Sequence, residues 1–191
     1  MTRYAAVAVL CAVLAACAGA PPVDVAAEHE AALAASAPAA AGSPAPGSAA
    51  EKAAVDRFVR FISDLSTGTV KADIRAVYAP SLYFNDTLKT IRSVDELERY
   101  FLATDEAMAS YALKVEEVAP TPQGVYLRWR MDVEFRRFRK GQVQSSIGVS
   151  HIRFDKDGRV VYHQDYWDSG SALFEKIPVL GAGIRAVKRR L

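Results

Sequence analysis

From residue 51 onward, the hydrophobic positions follow two rhythms. Val55, Phe58, Val59, Ile62 and Leu65 recur at helical spacing and predict an amphipathic helix over 51–65. Ser66-Thr67-Gly68 breaks it, and a second short helix is expected over 70–78, stopped by Pro80. Residues 82–86 and 88–92 read as two short strands. Ser93-Val94-Asp95-Glu96 has the form of a capping box, which opens a third helix carrying Leu97, Tyr100, Phe101 and Met108. The period then drops to two. Four strand-like segments follow, at 111–119, 125–138, 143–155 and 159–167, with turns at 120–124, Lys140-Gly141 and Asp157-Gly158. The segment 125–138 has the clearest alternation: Val125, Leu127, Trp129, Met131, Val133 and Phe135 on one face, and Tyr126, Arg128, Arg130, Asp132, Glu134 and Arg136 on the other. From Ser169 the pattern is helical in pieces, with Pro178 and two glycines as breaks. Helices followed by an antiparallel meander form an α+β order.

The N-terminal third has neither rhythm. Met1-Thr2-Arg3 is followed by an uncharged apolar run from Ala5 to Ala16, shorter than the roughly 20 residues a spanning helix needs. A basic start and a short apolar run form the pattern of an export signal. It ends Leu14-Ala15-Ala16-Cys17, which resembles the bacterial lipobox, with the Cys17 thiol as the nucleophile that takes up lipid. The expected organisation is a signal over 1–16, a lipidated Cys17 with an Ala/Pro-rich tether over 17–50, a folded domain over 51–175 and a basic helical tail over 176–191. The tether has no aromatic residue and reads as flexible, with transient helix expected over 25–35. Ala18 after the cysteine resembles the sorting pattern for the outer membrane, facing the periplasm.

Composition narrows the picture further. Of two cysteines, Cys11 leaves with the signal, so the mature chain cannot close an internal disulfide. The formal net charge of +2 falls by one with Arg3, which gives no basis for nucleic-acid binding. The three histidines are His29, His151 and His163; they are scattered and form no metal-ligand spacing, and no Gly-rich phosphate loop follows a strand. No cofactor is expected.

The candidate chemistry lies on strands. In the last one, His163, Asp165 and Trp167 share a face, while Tyr162, Gln164 and Tyr166 share the other. An aromatic-lined face with a carboxylate fits a ligand pocket and equally a wet sheet edge. Arg130 and Asp132 sit two apart on one strand face; alternation alone reads that face, with Arg128 and Glu134, as solvated. Tyr83 and Asn85 share one side of the first short strand, Phe84 and Asp86 the other.

The order and lengths of these elements resemble the nuclear transport factor 2-like, or SnoaL-like, superfamily, which includes ketosteroid isomerase, polyketide cyclases and limonene epoxide hydrolase. The resemblance covers about 51–175 and implies a cone-shaped α+β fold, three helices against a curved, mostly antiparallel sheet with a pocket. It is most specific toward limonene epoxide hydrolase, through Tyr83-Phe84-Asn85, Arg130-Met131-Asp132 and Asp165-Tyr166-Trp167-Asp168. That resemblance implies Asp165 as general base on a water oriented by Tyr83 and Asn85, Asp132 as general acid on an epoxide oxygen, and Arg130 between the carboxylates. Asp86, Trp129, Ser150, His163 and Trp167 are expected around the pocket. A ketosteroid-isomerase reading is weaker: Asp86 lies near that family's catalytic carboxylate, but Phe58 and Ser150 stand where its donors are expected.

Three functions follow as expectations. The first is a cofactor-independent epoxide hydrolase acting on an apolar epoxide. The second is a binding lipoprotein for a lipid or other apolar small molecule. The third is a structural envelope module, a homodimer through its sheet. Ile184, Val187 and Leu191 alternate with Arg185, Lys188, Arg189 and Arg190 in the tail, which reads either as a helix packed on the domain or as a cationic face for anionic lipid.

Overall fold

The computed structural model describes residues 24–190; the segment 1–16, expected to be an export signal, and Cys17 lie outside the described residues. The chain divides between Ala31 and Ala32 into two units. In the first, residues 24–31 begin helix α1 (Val25–Ala40), and Asp24 Oδ1 accepts from the Ala27 amide at 3.1 Å, a side-chain cap on the helix start.

The second unit holds the rest of α1 and the domain. Where the sequence reading expected a flexible tether, residues 32–40 are helical and held. Ala32 is buried, and Leu33 packs with it against Tyr83 and Tyr162. Arg153 Nη1 donates to both the Leu33 carbonyl and the Ser36 hydroxyl at 3.0 Å. Alanine composition alone shows no core, but an Ala-rich helix needs only a small apolar strip when an aromatic surface is ready to receive it.

Helix α2 (Ala49–Ile62) starts at Ser48, whose Oγ accepts from the Glu51 amide at 3.1 Å, and buries Val55, Phe58 and Phe61. Helix α3 (Thr67–Val77) runs directly into β1 (Tyr78–Asn85). Pro80 therefore lies in a strand rather than stopping a helix. It sits where the pairing of β1 with β6 is irregular, between Tyr78 and Tyr83, so fewer ladder bonds are demanded of it. Strand β2 (Thr90–Ser93) leads into α4 (Val94–Ala107), which Ser93 caps as expected, its Oγ accepting from Glu96 N at 3.3 Å. Met108, expected on that helix, opens β3 (Met108–Thr121). Strands β4 (Gly124–Phe135), β5 (Val143–Phe154) and β6 (Val160–Trp167) complete the sheet. The chain then passes through α5 (Ser169–Ala172), a 3₁₀ turn (Phe174–Lys176) and α6 (Pro178–Lys188).

The sheet order is β2-β1-β6-β5-β4-β3. All pairs are antiparallel except β1 with β6, which run parallel. The sheet is curved and unclosed, and α2, α3 and α4 fill its concave side. Phe58, Phe61, Ile74, Leu97 and Phe101 from the helices meet Phe84, Leu127 and Ile152 from the sheet there. These apolar contacts decide which side of every strand is the inside.

Candidate functional site

Toward the open end of the concave face, the helices and sheet enclose a cavity of about 480 Å³. Its walls are mostly apolar, with Phe58, Phe84, Phe101, Leu127, Met131 and Val133 among them. All five residues expected around a pocket (Asp86, Trp129, Ser150, His163 and Trp167) line it, and so does Asp165.

Asp165 is the centre of a directed chain of hydrogen bonds. The Trp129 indole N–H, which can only donate, reaches Ser150 Oγ at 2.9 Å. Ser150 must then spend its own hydrogen on Asp165 Oδ1, at 2.5 Å. On the other side, His163 Nε2 lies 2.9 Å from the same Oδ1, and His163 Nδ1 lies 2.9 Å from the Tyr78 hydroxyl. With the carboxylate accepting at Nε2, the neutral ring carries its hydrogen there and Nδ1 accepts from Tyr78. Burial, and then the charge of Asp165, pushes the Tyr78 hydroxyl well above the usual phenol range, so it remains a donor. Edge contacts from Phe58 and Phe84, with ring centroids at 5.4 and 5.0 Å, fix the imidazole plane. Both donors converge on Oδ1; among the described residues no donor is assigned to Oδ2, so that oxygen is the one available to a ligand.

Gly148 makes this chain geometrically feasible. It faces Trp129 across the β4–β5 pair, and a Cβ there would fall 2.4 Å from the indole Cζ2. The bare backbone lets the indole lie over β5 with its N–H aimed at Ser150.

The second carboxylate in the cavity, Asp86, is committed elsewhere. Its Oδ1 accepts from the Leu88 and Lys89 amides at 3.0 and 2.9 Å, which closes the β1–β2 turn, and its Oδ2 accepts from the Tyr100 hydroxyl. The Trp167 indole donates to the Asp86 carbonyl at 2.7 Å. Burial raises the Asp86 pKa above the ordinary carboxylate value, with the charge of Asp165 a smaller contribution in the same direction, while Tyr100 and the two amides oppose it.

Four residues expected to act with Asp165 lie on the opposite, convex face. Arg130 pairs across strands with Lys114 and Ile147, and Asp132 with Ala112 and Ser145; neither lines the cavity. The reason is the alternation of β4, in which Trp129 and Met131 take the inward positions. Asp132 is therefore not placed to act as the general acid, nor Arg130 to lie between the carboxylates: the motif's spacing is present, but on the opposite face from the cavity. Asn85 is likewise outside. It pairs with Gln164, whose Nε2 donates to its Oδ1 at 3.2 Å, while its own amide reaches Thr90 at 2.8 Å. Tyr83, expected to orient water beside Asn85, shares that face: it stacks on Tyr162 with centroids 5.1 Å apart and its hydroxyl reaches Gln164 at 3.2 Å. Asp168, the last residue of the matched run, caps α5 by accepting from Ser171 N at 2.8 Å.

Other cavity residues escaped the sequence reading. Gln144 and Ser146 continue the inward face of β5 below Gly148 and Ser150, so this strand presents a polar line to an otherwise apolar cavity. The Ser146 Oγ is buried with no hydrogen-bond partner. The signal was present in the sequence: over 143–150 the apolar residues Val143, Ile147 and Val149 occupy the outward parity. No group of His, Cys, Asp and Glu suited to a metal ion occurs among the described residues.

Comparison with known proteins agrees with this architecture. No curated protein matches the sequence. Similar solved structures include an epoxide hydrolase of the limonene-epoxide-hydrolase-like type from M. tuberculosis (16% identity, 72% of this chain and 94% of that one, TM-score 0.51). They also include a protein assigned as a SnoaL-like polyketide cyclase from Jannaschia sp. CCS1 (15% identity, 67% and 94%, TM-score 0.55). A third is a nuclear transport factor 2-like protein of unknown function from Exiguobacterium sp. 255-15 (16% identity, 60% and 98%, TM-score 0.52). At such identities the likeness is one of fold. The family profile described as "SnoaL-like domain" matches residues 55–163, more than half of the chain, and the protein belongs to that family.

Proposed function

We propose that this chain is an envelope lipoprotein whose SnoaL-like domain takes up an apolar small molecule, on which Asp165 acts as general base. One observation carries the reading: Asp165 lines an apolar cavity, and both of its internal donors, Ser150 and His163, converge on Oδ1. The step is removal of a proton from a water or from an acidic C–H of the ligand. Epoxide opening assisted by Asp132 is not part of this reading, because that carboxylate lies on the convex face. The test pairs binding with turnover. Asp165→Asn is expected to bind the neutral fluorophore N-phenyl-1-naphthylamine within about threefold of the parent. It should also lower deuterium wash-in on apolar ketones, or diol formation from apolar epoxides, by ~10²–10⁴. Unchanged turnover in that variant would exclude the base role.

A second reading is carriage without turnover. It is favoured by Asp86, whose two oxygens are engaged by the turn amides and Tyr100, so no second free acid faces Asp165. An apolar molecule retained on the purified chain in native mass spectrometry, without change over hours, would select it. For the anchor, the support is Leu14-Ala15-Ala16-Cys17; labelled palmitate should enter the parent and not Cys17→Ser. Pairing of two copies through the convex face is supported by Ile147, which is 66% exposed there, and Ile147→Lys should abolish any dimer seen by sedimentation.

A further inference from the structure

Helix α6 is packed the wrong way round for a soluble domain. Its polar side meets the Ser171–Glu175 segment that precedes it. Arg185 Nη1 donates to the Glu175 carbonyl at 2.7 Å, Lys188 Nζ reaches Ser171 Oγ at 2.9 Å, and Lys188 also pairs with the Glu175 carboxylate. Gly181, on the same side, is buried so closely that a Cβ would fall 1.9 Å from the Glu175 carbonyl oxygen. The opposite side carries Val179, Gly183 and Val187 at intervals of four, with Leu180 beside them. Val179 is 88% exposed, Val187 60% and Leu180 46%. An amphipathic helix ordinarily buries its apolar stripe; this one spends its cations on the domain and turns the stripe outward.

The charges around the stripe indicate what covers it. Between Ser169 and Arg190 the chain has Lys176, Arg185, Lys188, Arg189 and Arg190 against a single acid, Glu175. Arg189 and Arg190 are exposed at the end of the helix. A second copy docked stripe to stripe would bring two such cationic clusters together, which opposes association. An anionic bilayer offers apolar depth for Val179, Leu180 and Val187 and phosphate for the arginines.

We propose that α6 lays its outward Val179–Leu180–Gly183–Val187 stripe on an anionic lipid surface. The contact is independent of lipid on Cys17 and of what the cavity holds. It has a consequence for the cavity, resting on the apolar-ligand reading: Ala172 and Leu173, in the segment that Arg185 and Lys188 clamp to α6, form part of the cavity wall. Docking α6 therefore sets that wall beside the phase in which an apolar ligand is dissolved.

The test uses the full chain with Cys11→Ser and Cys17→Ser, which removes the lipidation site, and Val179→Cys carrying a bimane label. The added vesicles are phosphatidylcholine with about one quarter phosphatidylglycerol. The label is expected to shift to shorter wavelength on these vesicles and to shift much less on phosphatidylcholine alone. Arg189→Glu with Arg190→Glu should weaken the partition read by the label at least ~10-fold. Because the label reports this helix face alone, binding through the N-terminal apolar run cannot mimic the result. A label that stays at its aqueous wavelength on anionic vesicles overturns the proposal. So does a shift without vesicles that grows with protein concentration, together with a dimer in sedimentation, which would assign the stripe to a second copy. Loss of ligand binding in Asp165→Asn would leave the label result unaffected, so the two readings fail separately.

Discussion

Strands β4 and β5 are paired residue for residue from Val125 with Ile152 to Glu134 with Val143, yet they treat the same two faces in opposite ways. β4 puts Leu127, Trp129 and Val133 inward and Arg128, Arg130 and Asp132 outward. β5, over its first eight residues, puts Gln144, Ser146, Gly148 and Ser150 inward and leaves Val143 and Ile147 to solvent. At Ile152 and Phe154, both buried, β5 returns to the ordinary pattern. The inversion is confined to the stretch beside the cavity. A strand whose pattern agrees with burial builds a wall; one that breaks it locally places polar groups where a ligand can reach them, and such breaks concentrate at functional sites.

The comparison can be broken from either strand. The largest effect is expected from β4: Leu127→Ala, at a fully buried position, should cost ~2–5 kcal/mol in denaturant melts, since it removes core volume under the sheet. On β5, Ser150→Ala should cost about 1–3 kcal/mol, because the Trp129 indole loses its acceptor and Asp165 a donor, and it should weaken ligand binding as well. Gly148→Ala is expected to cost roughly 1–3 kcal/mol by pushing the Trp129 ring off β5, seen as a change in tryptophan emission. Ser146→Val should go the other way. Valine puts two methyl groups beside the cavity in place of a buried hydroxyl that has no partner, which is expected to leave stability equal or raise it by ~1 kcal/mol while weakening polar ligands. The smallest effect belongs to the outward face of β4. Arg130→Ala and Asp132→Ala should each fall within about 0.5 kcal/mol and leave cavity binding untouched, measured by the same melts and fluorophore titration. A large effect there would restore the motif reading.

Asp86, the carboxylate committed to the β1–β2 turn, adds a pH dependence of its own. Asp86 has its folded pKa raised by burial above the unfolded value of about 3.9. Its contribution to stability is therefore complete below that value and is lost as pH rises through the folded pKa. Asp86→Asn removes this dependence, so the melting temperature of the variant relative to the parent should climb as pH rises above about 4, the ordinary carboxylate value. A difference that stays flat over that window would show that Asp86 titrates normally.

Much of this was legible in advance. Ser93 capped its helix, the alternation of residues 125–135 ran as read, and His163, Asp165 and Trp167 shared the face that proved to line the cavity. What misled was the motif. Arg130-Met131-Asp132 has the spacing found in the epoxide hydrolase family, while plain alternation placed the pair with Arg128 and Glu134 on the solvated side, and the alternation was right. The tether was misjudged for the opposite reason, since nothing local in residues 32–40 announces that Tyr83 and Tyr162 form a surface for them.

The sequence by itself determined the element order, the two faces of each strand, and the company Asp165 keeps on β6, because period-2 and period-3.6 patterns are properties of the local chain. Only the tertiary structure decided which face is the interior. It also decided that Ser150 and Trp129 converge on Asp165, and that α6 turns its stripe away from the domain. Those outcomes depend on which apolar sides meet in three dimensions and on contacts between residues far apart in the chain. A local pattern presents two faces; the packing chooses between them.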